Sequence, residues 1–126
     1  MLRSNVERCL VPDRMLCANI RMRIDDRTVN VIVDYTYTNT GILPMAVWVK
    51  IKPNESTLDR ELRSSGKAVS LLLQYGCGLK EIAETFTKDS IIGVAVNYLH
   101  KNIESILANE QPNKIPVMNT DPYKLK

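Results

Sequence analysis

Three observations predict an α+β fold: an antiparallel β-meander of three or four strands, followed by two or three packed helices and an extended C-terminal tail. Hydrophobic residues alternate with polar ones from about residue 14 to residue 52, the period of a half-buried strand. After Pro53-Asn54-Glu55-Ser56 the apolar spacing becomes helical. Beyond Asn109 the chain carries Pro112, Pro116 and Pro122 among polar residues.

The elements follow in order. Val6 to Val11 reads as a short edge strand closed by Pro12-Asp13. Leu16, Ala18, Ile20, Met22 and Ile24 share one face of the next strand, with Cys17, Asn19, Arg21 and Arg23 opposite. Asp25-Asp26-Arg27 makes a turn. Val29, Val31, Val33, Tyr35 and Tyr37 then line the same side of a second strand. Asn39-Thr40-Gly41 turns the chain again, and Pro44 marks the start of a third strand, in which Met45, Val47, Val49 and Ile51 oppose Trp48, Lys50 and Lys52. Short connections imply neighbouring antiparallel strands with one wet face.

Ser56 or Thr57 is placed to cap a first helix carrying Leu58, Leu62, Val69, Leu72 and Leu73 up to Gly76, a residue suited to the position just past a helix end. Leu79 to Phe86 reads as a shorter helix. Asp89 or Ser90 can cap a third, with Ile92, Val96, Leu99, Ile103 and Ile106 on one stripe. The tail is expected to be an extended arm with no core of its own. The 126 residues read as one domain, with strands over about 5–52, helices over about 57–107 and the tail over 108–126.

Composition narrows the function. A hydrophobic share of 44% and a charged share of 25% are ordinary for a globular chain. No apolar run approaches the roughly 20 residues that span a bilayer, and the N-terminus lacks the apolar stretch of a signal peptide. Cys9, Cys17 and Cys77 are an odd number at unpatterned spacing, which fits free thiols in a cytoplasm. Cys77, between two glycines, reads as a small filler. The net charge of +3 suits an anionic ligand.

Catalytic chemistry is poorly provided for. His100 is the sole histidine, flanked by Lys101 on the last helix, and reads as a surface or boundary residue. No zinc spacing and no phosphate-cradling glycine loop is present, so neither metal nor cofactor is expected. Asp25-Asp26 reads as a turn rather than a metal site. The chain is therefore expected to bind without catalysing.

Candidate binding residues are cationic and aromatic. Arg21, Arg23, Lys50 and Lys52 stand on the wet strand faces, and Arg60, Arg63 and Lys67 on the first helix. Guanidinium forks grip phosphate through two oxygens at once. Phe86, the sole phenylalanine, is either a core plug or a stacking face for a base. Gly93 with Ala95 thins one side of the last helix for a close approach. Gly78 to Phe86 also looks like the first helix of a helix-turn-helix, but the next helix begins Ile91-Ile92-Gly93-Val94-Ala95-Val96, with no polar group for a base edge. Duplex DNA is thus not the expected partner.

Leu58-Asp59-Arg60-Glu61-Leu62, Ser70 through Gly76, Leu79-Lys80-Glu81-Ile82-Ala83 and Ser90 through Ala95 resemble the small domain at the tail of cobalamin-dependent ribonucleotide reductases. The Thr-Ser-Cys-Pro-Asp motif that names that domain is missing here. The resemblance implies a reductase-like accessory domain acting by protein contact. Strands first and helices second also resemble phage Thoeris anti-defence proteins of the first type. That resemblance implies sequestration, without chemistry, of the cyclic ADP-ribose isomer made by bacterial TIR enzymes, and in some members of cyclic oligonucleotides. It further implies a homo-oligomer, a dimer or dimer-based ring in the host cytoplasm, that clamps the ligand between subunits. Phe86 would stack on adenine, Asn97 would make a polar contact, and Lys114 or Arg60 would meet the phosphates. Sequestration of a cyclic nucleotide signal is the leading expectation, with the accessory domain second and a DNA-binding regulator third.

Overall fold

A computed structural model describes residues 8, 15–52, 56–107, 115–118 and 120. Its sheet begins at the tightest turn available. Asp25 (φ 52°) and Asp26 (φ 63°) both take left-handed backbone conformations between β1 (Leu16–Ile24) and β2 (Arg27–Thr38). A two-residue hairpin with both φ positive has the twist of its strands, and Asp tolerates that region better than most non-glycine residues. The turn fixes Ile24 opposite Arg27, so Ile20, Met22 and Ile24 share a face with Val29, Val31 and Val33. All six are buried.

β3 (Gly41–Lys52) pairs antiparallel with β2 and begins earlier than Pro44, where the sequence places its start. Asp34 faces Ala46 but Tyr35 faces Pro44, so Met45 is the extra residue of a bulge. Proline withholds a donor from a ladder and is tolerated at bulges and on edge strands. Pro44 meets both conditions, because β3 is an edge of the β3-β2-β1-β4 sheet.

That edge is covered by α1 (Ser56–Gln74). Ser70 Oγ accepts the Val47 N–H at 2.8 Å and lies 3.1 Å from the Val47 carbonyl and 2.9 Å from that of Gly66. Gln74 Nε2 donates to the Met45 carbonyl at 3.0 Å. Two side chains thus stand in for a missing strand. Gly66 lets the helix come this close: a Cβ there would lie 3.1 Å from the Val47 carbonyl oxygen. Gly76 (φ 96°) ends α1, with Cys77 N–H bonded to Leu72 O and Gly76 N–H to Leu73 O, the paired bonds of a Schellman close.

α2 (Leu79–Thr85) and α3 (Ile91–Leu107) complete the helical layer. Ser90 caps α3, its Oγ accepting the Gly93 N–H at 3.0 Å and donating to the Thr87 carbonyl at 2.7 Å. Leu79, Ile82, Ile92, Val96 and Leu99 join Val69, Leu73 and the strand residues in one buried cluster. Cys77 is exposed, so it does not fill the core as expected of a small filler. No helix among the described residues is long and apolar enough to cross a membrane.

The tail departs from the expected arm without core contacts. Val117–Met118 forms β4, parallel to β1, and Met118 packs against the core. Arg23 N–H donates to the Pro116 carbonyl at 2.8 Å, and Thr120 donates to the Asp25 carboxylate from its N–H at 3.0 Å and its hydroxyl at 2.6 Å. Pro116 contributes the one backbone group a proline retains, its carbonyl. Parallel pairing needs a long connection, here β2, β3 and the whole helical layer. The strand expected over Val6–Val11 lies outside the described residues, apart from Arg8, whose Nε donates to Gln74 Oε1 at 2.6 Å.

Candidate functional site

The loop between α2 and α3 shapes the first concavity. Gly93 does thin α3, but the space is taken by the chain's own Thr87 carbonyl rather than left for another subunit. A Cβ at Gly93 would lie 2.2 Å from that oxygen. The loop held down in this way leaves a groove of about 660 Å³ between α2, α3 and β4. That is within the range of about 300–1,000 Å³ typical of small-molecule sites.

The groove is cationic. Lys80 comes from α2, Lys88 from the loop and Lys101 from α3, beside His100. Glu84 is the acidic residue among the lining positions. Asn97 lies one turn from Gly93 and one from Lys101, so all three share a helix face. Tyr98 adds a half-buried ring, and Asn102 donates to the Tyr98 carbonyl at 3.0 Å. Val117 and Met118 of β4 close the groove on their side. Donors with one carboxylate and one ring can hold an anion that also carries a flat group. They offer no nucleophile paired with a base.

A second concavity, about 380 Å³, lies where α1 meets the open sheet face, between Trp48, Val49, Lys50, Arg63 and Lys67. Arg63 Nε is 2.9 Å from Asp59 Oδ2, one turn away. Beyond it the register sets Arg21, Asn30 and Lys50 in one row across the sheet, and Arg23, Thr28 and Lys52 in the next. Arg23 donates to Thr28 Oγ1 at 3.2 Å and to the Asp26 carbonyl at 3.0 Å. Cys17 faces Asp34 on this side of the sheet. Desolvation, then the charge and hydrogen bonding of Asp34, push its thiol upward. In a background lacking Cys9 and Cys77, iodoacetamide is therefore expected to alkylate Cys17 slowly at neutral pH and faster as pH rises. Asp34→Asn should speed the reaction at neutral pH; an unchanged rate would remove the carboxylate from the account.

Comparison with models of known protein families, with curated proteins and with solved structures yields no match in any of the three. The chemistry of the two concavities therefore carries the functional reading.

The structure divides the residues singled out from sequence among several places. Asn97 lines the α2–α3 groove. Arg21 and Arg23 stand on the open sheet face, with Arg63 at its border with α1. Arg60 is exposed on α1 and lines neither concavity. Phe86 caps the C-terminus of α2, half-buried against the core, and the ring lining the groove is instead Tyr98. Lys114 lies outside the described residues. Lys80, Lys88, Lys101 and Tyr98 were missed as a group, because their convergence depends on how α2, its loop and α3 pack. Of the helix-turn-helix reading, the six residues that begin α3 are buried except Val94, so this end presents the core with its side chains. Among the described residues no group of three or more His, Cys, Asp or Glu could hold a metal.

Proposed function

We infer that the chain sequesters a small phosphate-bearing nucleotide in the α2–α3 groove without transforming it. The observation that supports this most is the grouping of Lys80, Lys88 and Lys101 around Asn97 and Tyr98 in a space of nucleotide size. The ligand proposed is the cyclic ADP-ribose isomer of TIR signalling, held so that a bacterial anti-phage response is not triggered. Its phosphates would meet the lysines, an adenine or ribose edge would meet Asn97, and Tyr98 would supply a stacking surface. Charge-assisted contacts of about 1.5–3 kcal/mol each, with one stacked base at about 1–3 kcal/mol, could together reach nanomolar affinity. A second copy covering the open groove would exclude water and slow release.

The test is depletion and return. The isomer incubated with the protein should vanish from the filtrate and come back unaltered after heat denaturation. Asn97→Ala and Lys101→Ala should each weaken binding about 10-fold or more by calorimetry, with unchanged melting. Recovery of a modified product, or full-strength binding by the double variant, would sink this reading. Native mass with and without the isomer reports the proposed dimer or dimer-based ring.

A second reading, an accessory domain acting by protein contact, is favoured by Leu71 and Tyr75. Leu71 lies in the last turn of α1 and Tyr75 just past its end, with the Tyr75 N–H bonded to the Leu71 carbonyl at 3.1 Å, and they are 43% and 45% exposed. Double substitution to Ser without effect on any captured partner would remove it.

A further inference from the structure

The sheet face opposite the core has a composition that the groove does not explain. Trp48, the chain's single tryptophan, stands on it with 45% of its surface open. Its Nε1–H donates to Asp34 Oδ2 at 3.3 Å, across to the neighbouring strand. That bond ties down a ring that would otherwise swing, and a ring held beside a sheet is a ready stacking platform. Ile32, directly opposite Trp48 on β2, widens the apolar patch.

Cations surround this platform on two sides. Lys50 and Lys52 follow Trp48 along β3, with Arg21 and Arg23 in the same rows on β1, and Arg63 and Lys67 flank it from α1. Arg21, Lys50, Lys52 and Lys67 form no ion pair among the described residues. Asp34 is the acidic residue among the described positions of this face, and one of its carboxylate oxygens accepts from the indole. Successive same-face residues of a strand are about 6.8 Å apart, so the two cationic rows step away from the ring at regular intervals. The concavity beside Trp48, about 380 Å³, has room for one base with its sugar, while the rows extend beyond it. A ligand matching both parts has a flat group at one end and a chain of repeating anionic charges.

We propose that this open face binds single-stranded nucleic acid, with one base stacked on Trp48 and the following phosphates on Lys50, Lys52, Arg21 and Arg23. The site is separate from the groove and stands without the function proposed for it. Rows of cations recruit the backbone irrespective of sequence, and a lone stacking ring reads no base edge, so binding is expected to tolerate any base.

Trp48 also supplies the readout. Titrating the protein with a short oligothymidylate should quench its fluorescence in a saturable manner, since no other tryptophan contributes. With about four phosphates neutralised, log K should fall against log salt with a slope near −3. Trp48→Ala, followed by anisotropy of a labelled oligonucleotide, should weaken binding roughly 5- to 150-fold, the range implied by about 1–3 kcal/mol per stacked base. Trp48→Phe should recover most of that loss. Lys50→Gln with Lys52→Gln should flatten the salt slope by about 1.4. Lys101→Ala, in the groove, should leave all of these values unchanged. The proposal is overturned if the oligonucleotide fails to quench at low salt, if thymidine monophosphate binds as tightly, or if duplex DNA or heparin competes on equal terms. Binding that survives Trp48→Ala unweakened overturns it as well.

Discussion

Replacing Gly93 with alanine should lower the melting temperature by roughly 10 °C, although glycine-to-alanine inside a helix normally stabilises by about 1 kcal/mol. The sign is decided by what the new methyl meets. It would lie 2.2 Å from the Thr87 carbonyl oxygen and 2.8 Å from Ser90 Oγ. Neither atom is the loose end of a flexible side chain. The carbonyl accepts from both the N–H and the hydroxyl of Ser90, and that hydroxyl accepts in turn from the Gly93 N–H. Making room means lifting the loop and breaking the cap, a loss of about 1 kcal/mol added to an overpacking cost of about 1–3 kcal/mol. Gly93 also lines the α2–α3 groove, so ligand depletion should fall together with stability. A variant melting at or above the parent temperature would show that the loop yields freely.

The second large effect is expected at Ser70. Ser70→Ala removes the hydroxyl that pairs with both backbone groups of Val47, in a position where Ser70 is 6% exposed. The Val47 N–H is left buried without a partner, which costs about 1–3 kcal/mol, less a few tenths regained from helix propensity. Ser64→Ala, exposed on the same helix, should stay within about 0.5 kcal/mol of the parent. Denaturant titration distinguishes them. Equal midpoints for the two variants would mean that water reaches Val47 once the hydroxyl is gone.

Local pattern carried much of the fold. Strict alternation in β1 and β2 marked the side that faces the core, although Leu16 and Tyr37, at the strand ends, stay 50% and 57% exposed. Gly76 and Ser90 marked helix boundaries through their own backbone and side-chain chemistry. What stayed hidden was non-local. Nothing near Thr120 announces a partner 95 positions earlier at Asp25, and a stretch rich in proline reads locally as an arm. The bulge at Met45 comes from the pairing of two strands, so Pro44 alone looked like a boundary. Ser70 and Gly76 helped to carry a family resemblance, yet each has a job in the scaffold: one covers a strand edge, the other closes a helix.

The candidate sites divide along the same line. Arg21, Arg23, Lys50 and Lys52 could be assigned to one face from the period of two, and the register then puts them in rows. The lysines around Asn97 come from three segments whose meeting depends on packing. Phe86 left two roles open in the sequence, and its half-buried contact with the core goes with the packing role.

The covered edge of β3 has a consequence for how copies of this chain can join. With Ser70 and Gln74 engaging the Val47 N–H and carbonyl and the Met45 carbonyl, a foreign strand cannot pair with those groups. At the opposite edge β4 pairs only with Arg23 and Ile24, so among the described residues the rest of β1 keeps its outer backbone groups toward a newcomer. Two molecules meeting through that edge would form one continuous sheet about a twofold axis, with the α1-flanked β3 strands at its two ends. In such a sheet each β3 would lie outermost, where α1 hinders the addition of a further strand.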